Sequence, residues 1–174
     1  MYKNQSTLRV LFVCRGSLRD GLGHVMRSRT VALEMSSKMS VKLVVIGDDY
    51  IETLLVGRGL HYQILSDEKG VLDILYEFKP DIVVFDLTNF SEIYFEKIKK
   101  EAMTVSLSPI FNFLRNVDVV FHRTKYPGKD WSMGNMPPHF FCGLQYAVVR
   151  ENCSPIHSDI YKKYLQEETL SIVI

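Results

Sequence analysis

Gly21, Gly23 and His24 stand together in the segment Asp20-Gly21-Leu22-Gly23-His24, where an apolar run has ended and a helical pattern begins. Glycines at such a place let the backbone turn tightly and let a ligand come close to it. The N-terminus of the helix that follows offers unpaired N–H groups and a partial positive charge. That suits a phosphate or the polar groups of a sugar. The same field disfavours an imidazolium, so His24 is placed to work as a neutral general base. The alternative is a hydrogen-bonded structural histidine, and the flanking glycines favour the base. Arg15, Arg19, Arg27 and Arg29 surround the turn. Arg15 and Arg27 are candidates to hold a phosphate or carboxylate, whereas Arg19 and Arg29 read as solvated surface. Asp86 closes a later apolar run, and three roles are open to it: orienting His24, binding sugar hydroxyls, or capping the next helix. The candidate catalytic residue is therefore His24. The candidate substrate-binding set is Arg15, Gly21, Leu22, Gly23, Arg27, Asp86 and Thr88.

Other chemistries lack their signatures. The dinucleotide fingerprint GxGxxG fails because Met26 occupies its third glycine position, and the phosphate loop GxxxxGK[ST] is absent. His61, His122, His139 and His157 have no metal-ligand spacing, so neither a metal nor another cofactor is expected. Cys14, Cys142 and Cys153 are odd in number and form no CxxC, which points to reduced thiols in a cytoplasmic protein. Cys14, in an apolar run, reads as a small buried residue. A net charge of +1 gives no global field toward nucleic acid or an acidic membrane surface. No apolar stretch approaches a membrane span, and Val10 to Cys14 is too short for a signal-peptide core.

The elements that must position these residues alternate between strand and helix. Leu8–Cys14 and Val41–Gly47 are nearly all apolar and read as strands covered on both faces. Further strands are expected at His61–Leu65, Asp81–Asp86, Met103–Leu107, Val117–Phe121 and Leu144–Val149. The spacing of Val25, Met26, Thr30, Leu33 and Met35 predicts the first helix. Ile51, Leu54 and Leu55 predict a helix stopped by Gly57 and Gly59. Val71, Leu72, Leu75 and Phe78 predict one stopped by Pro80, and Ile93, Tyr94 and Ile98 predict another. Pro127, Gly128, Gly134, Pro137 and Pro138 make Lys125–Pro138 a long loop. The pattern specifies an α/β fold, a Rossmann-like doubly wound parallel sheet with right-handed crossovers. Ligands bind such sheets at the carboxyl ends of the strands, which singles out Arg15–His24, Gly47–Asp49, Asp86–Asn89 and Ser106–Pro109. Residues 1–155 form this domain. Residues 156–174 read as a charged linker followed by a buried strand, Leu170–Ile174. That strand either opens a second domain or adds to this sheet.

Asp20-Gly21-Leu22-Gly23-His24-Val25-Met26-Arg27, followed by Thr30-Val31-Ala32-Leu33, resembles the opening motif of the UDP-sugar hydrolase of pseudaminic acid biosynthesis. It is equally similar to the spore-coat polysaccharide protein SpsG. Pro80–Asp86 resembles that family's central strand ending in aspartate, and Gly143–Arg150 its G-x-x-Y-A-L-L-R segment. The resemblance implies the N-terminal domain of a GT-B-type enzyme, in which two Rossmann-like domains face each other across a cleft. It implies that a C-terminal nucleotide-binding domain holds most of the uridine nucleotide. It also implies that His24 activates water at the anomeric carbon. The chain departs from the family at Leu87-Thr88-Asn89, where a tyrosine is usual, and at Ser106-Leu107-Ser108-Pro109, where an acidic pair is usual. Ser28 replaces a common cysteine. A glycosyltransferase of the same fold, with His24 acting on an acceptor hydroxyl, and a non-catalytic half-domain that needs a C-terminal partner are the competing functions.

Overall fold

The computed structural model describes residues 7–19, 21–57, 59–108, 110, 114–123 and 137–149. The strands are β1 (Arg9–Gly16), β2 (Ser40–Gly47), β3 (His61–Leu65), β4 (Ile82–Asp86), β5 (Met103–Ser106), β6 (Val119–His122) and β7 (His139–Cys142). Between them run α1 (Gly23–Ser36), the single turn α2 (Glu52–Leu55), α3 (Gly70–Phe78) and α4 (Glu92–Glu101). The strands form one sheet in the order β3-β2-β1-β4-β5-β6-β7, and every pairing is parallel. This is the doubly wound α/β fold, with the direction of winding reversing between β1 and β4.

Side-chain alternation along buried strands accounts for the two cores. On β1, Val10, Phe12 and Cys14 pack with Val25 and Ala32 of α1 and Leu55 of α2. Leu11 and Val13 project to the other face and pack with Val71 and Leu75 of α3 and Phe95 and Ile98 of α4. β4 divides in the same way, with Val84 facing α1 while Val83 and Phe85 face α3 and α4. Phe85 is completely buried. Its ring lies 5.4 Å from Phe90 and 5.7 Å from Phe95 by centroid, which fixes the end of β4 against the following loop and α4.

The structure revises several sequence expectations. Leu144–Val149 is not a strand: Leu144–Tyr146 is a 3-10 turn, and the last strand in the described residues is β7, just before it. Gly143, at φ 132°, breaks the extended run. Tyr146 folds back onto Phe121 and Phe141. The expected strand at 117–121 starts at Val119. Asp118 is diverted before it, its carboxylate accepting hydrogen bonds from the Thr104 backbone N–H and hydroxyl. The helix around Ile51 is a 3-10 turn, Asp49–Ile51, followed by α2. Asp20, most of the loop at 125–138, Cys153, His157, the linker at 156–174 and the strand at 170–174 lie outside the described residues. Among the described residues no helix is long and apolar enough to cross a membrane.

β1 and β2 end side by side on Gly16 and Gly47. A Cβ on Gly47 would lie 2.0 Å from the Gly16 carbonyl oxygen and 2.4 Å from Ile51 Cδ1. The first of these is backbone and cannot rotate away. Gly47→Ala is therefore expected to destabilise the domain by about 2–3 kcal/mol, the upper part of the usual cost of overpacking. Urea denaturation checks this, and an unchanged midpoint would show that the two strand ends can separate freely.

Candidate active site

Three residues of α1 share one face by helical spacing: His24, Arg27 and Ser28. That face lies over the carboxyl end of β4, where Asp86 projects toward α1 because it shares the parity of Val84. The parallel register sets Asp86 beside Cys14 of β1, so the carboxylate sits at the switch point of the sheet. Its side chain has no exposed surface. Oδ1 receives His24 Nδ1 at 2.7 Å and the Ser108 hydroxyl at 2.9 Å. Oδ2 receives Arg27 Nε at 2.7 Å and the Ser28 hydroxyl at 3.3 Å. A terminal nitrogen of Arg27 also donates to Oδ1, which makes the Arg27 contact two-pronged, and the same nitrogen donates to Ser108 Oγ.

Burial alone would raise the Asp86 pKa. Hydrogen bonds from His24 and Arg27, together with the Arg27 charge, outweigh it and hold the carboxyl below its ordinary range. Asp86 is thus an anion inside the protein. An anionic acceptor 2.7 Å from Nδ1 requires a proton on that nitrogen. The Arg27 terminal nitrogen, 3.0 Å from the same Nδ1, is then a contact and not a donor to it. The lone pair of a neutral His24 falls on Nε2, across the ring from the carboxylate. His24 keeps 31% of its side-chain surface exposed. It borders a pocket of about 450 Å3 with Leu22, Gly23, Arg27, Arg123 and Val148. The arrangement, a histidine held by a carboxylate and open on one side, is one that can accept a proton at Nε2. Cys14, beneath it, is inert: burial pushes its thiol pKa up, and the Asp86 charge pushes it further.

The structure brings together His24, Arg27, Asp86, Leu22 and Gly23 from the sequence-derived set. Gly21 shapes the turn, at φ 90° with its N–H bonded to Ser17 O at 2.9 Å. Arg15 goes elsewhere. It follows Cys14 on β1 and so faces the α3 side. There it pairs with Glu68, whose other oxygen accepts the Ser91 N–H at 2.7 Å. Arg15 lines a separate cleft of about 740 Å3 with Gly47, Asp48 and Tyr94. Thr88 is exposed on the loop after β4 and is not among the described residues that line the His24 pocket. Arg19 is exposed as expected, but Arg29 is half-buried and donates to Leu54 O at 2.8 Å, tying α1 to α2. A larger cleft, about 910 Å3, lies at the opposite, amino edge of the sheet beside Lys79, Asp81, Lys99 and Asp118. Two of its acids are engaged with backbone, Asp81 at Arg9 N–H and Asp118 at Thr104 N–H.

Neither Ser108 nor Arg123 is in the candidate residue set. Ser108 falls within Ser106–Pro109, marked both as a segment at the carboxyl edge of the sheet and as a departure from the family pattern, but with no role of its own; Arg123 carries no sequence signal. Among the described residues no three of His, Cys, Asp and Glu converge to hold a metal ion. No protein-family model matches the chain, and no curated protein matches it significantly in sequence.

The two glycines of the turn are separable. Gly21→Ala forces a side chain into a left-handed conformation and is expected to cost about 1–3 kcal/mol. A Cβ on Gly23 meets nothing within 4 Å, and this residue starts a helix. Gly23→Ala should leave stability within about 0.5 kcal/mol of the parent and still lower turnover at least about tenfold, by displacing a ligand from the backbone. Melting curves and rates on the same preparations check both. A fully active Gly23→Ala protein would show that no ligand packs against this backbone.

Proposed function

We propose that the chain is the sugar-side, N-terminal domain of a cytoplasmic nucleotide-sugar hydrolase of GT-B-type fold, in surface-polysaccharide or nonulosonic acid biosynthesis. The observation that carries this reading is the His24–Asp86 pair at the switch point, with His24 bordering an open pocket. His24 Nε2 takes a proton from water, and the water oxygen attacks the anomeric carbon of a UDP-sugar. The bond from that carbon to the phosphate oxygen breaks, UDP leaves with the electron pair, and the free sugar remains. Asp86 holds the ring in the tautomer that can accept the proton, and it offsets the positive charge that develops on the ring. The start of α1, which has no acidic residue in its first turn, favours a negatively charged substrate beside it. Most of the nucleotide would be held by a facing C-terminal domain.

The choice of a nucleotide-sugar substrate rests on the resemblance of Asp20–Arg27, Pro80–Asp86 and Gly143–Arg150 to the pseudaminic acid and spore-coat hydrolase family. The geometry supports the base independently of that resemblance. A glycosyltransferase would use the same base on an acceptor hydroxyl, and its product would be a transferred sugar instead of a free one.

Hydrolysis of UDP-N-acetylglucosamine and UDP-N-acetylgalactosamine by the full-length protein in 18O-labelled water tests the reading. Attack at the anomeric carbon places the label on the sugar. His24→Ala is expected to lower the rate per folded molecule by about 100- to 10,000-fold, with UDP affinity nearly unchanged. Label on UDP, or a His24→Ala protein with full specific activity, would end this reading.

A further inference from the structure

Arg27 sits where a substrate anion would be expected to find it, yet most of its donors are already spent. Nε bonds Asp86 Oδ2 at 2.7 Å, and one terminal nitrogen bonds both Asp86 Oδ1 and Ser108 Oγ. Ser108 accepts from Arg27 and donates its own hydroxyl hydrogen bond to Asp86 Oδ1 at 2.9 Å. One hydroxyl can do both, because it has one proton and two lone pairs. Ser108 is held in turn by the Ser106 hydroxyl, which donates to the Ser108 carbonyl. The planar guanidinium spans both carboxylate oxygens, so it fixes the plane of Asp86 as well as its charge. That plane decides where Oδ1 lies relative to His24 Nδ1.

We propose that Arg27 and Ser108 are positioning residues that act on His24 through Asp86: together they keep the carboxylate ionised and aimed, and so keep the His24 proton on Nδ1. The relevance of this clamp to turnover rests on reading His24 as the general base; the tautomer it enforces does not. Without Arg27, a carboxylate with no exposed surface loses its only guanidinium partner among the described residues and becomes a weaker, rotatable acceptor. The ring is then free to carry its proton on Nε2, the nitrogen that would have to accept one from water.

The test is a long-range 1H–15N spectrum of the full-length protein labelled on histidine nitrogens, taken at about pH 8.5, well above the ordinary imidazole range. The pattern of ring couplings reports which nitrogen carries the proton, and His24→Gln assigns the signal. The parent should show the Nδ1–H form. Arg27→Gln and Ser108→Ala should each introduce the Nε2–H form, and Arg27→Lys, which keeps the charge and loses the fork, should fall between Arg27→Gln and the parent. In the same variants kcat on the UDP-sugar probe should drop about 10- to 100-fold with KM nearly constant. If Arg27→Gln does not fold, Arg27→Lys and Ser108→Ala decide by the same signature. An Nε2–H parent, or an Nδ1–H form unchanged in the folded variants, overturns the proposal. A tautomer shift as expected in a protein that hydrolyses no UDP-sugar leaves the clamp standing and rejects the hydrolase reading.

Discussion

A carboxylate sealed from water costs several kcal/mol unless every lone pair is met and a cation stands beside it. Asp86 is in that position, with no exposed surface and with donors from His24, Arg27, Ser28 and Ser108 around it. Much of the local arrangement follows from satisfying this one charge. Arg27 is drawn back onto Asp86 instead of reaching into solvent. Ser108 is held close to the end of β4. The His24 ring is fixed by its Nδ1 edge, which leaves the opposite edge toward the pocket. Removing one partner of such a buried pair typically costs about 3–5 kcal/mol, so the cluster stabilises the fold and orients the site at once.

The sheet makes this position possible. In a parallel sheet wound in both directions, helices leave the strands on opposite faces at the point of reversal, and a crevice opens there. α1 lies on one face and α3 and α4 on the other. The strand end that reaches into the crevice is anchored from behind by Phe85, packed between Phe90 and Phe95. Phe85 and Asp86 are neighbours that point to opposite faces, so one secures the core while the other meets α1. Gly16 completes the fit. A Cβ there would lie 2.4 Å from Val25 Cγ2, so only glycine lets α1 come this close to β1.

The fold was legible in the sequence because buried parallel strands are written as unbroken apolar runs, and β1, β2 and β4 are runs of this kind. Elements that depend on tertiary contacts were not. The segment from Leu144 to Val149 is apolar enough for a strand, but Gly143 and the packing of Tyr146 on Phe121 decide otherwise. At the site, His24 and Asp86 could be named because each stands at the junction of an apolar run with a turn or helix. Their pairing, over 62 positions of sequence, could only be one of three options for Asp86. Arg15 stands apart from the His24 cluster because side chains alternate along a strand: one residue after Cys14, it takes the other face and meets Glu68 there. Ser108 was legible only as part of Ser106–Pro109 at the carboxyl edge, because a serine after a strand reveals no role until the carboxylate beside it is known.

His24 can work as a base only while Asp86 accepts from its Nδ1–H, and Asp86→Asn tests that most directly. The substitution keeps the shape of the side chain, removes its charge and presents an amide that can donate where only acceptance serves. Turnover by the folded variant at neutral pH is expected to fall on the order of 1,000- to 10,000-fold, because the amide favours the tautomer that cannot take a proton at Nε2. A folded Asp86→Asn protein with parent-like turnover would contradict the account and leave the buried carboxylate a purely structural element.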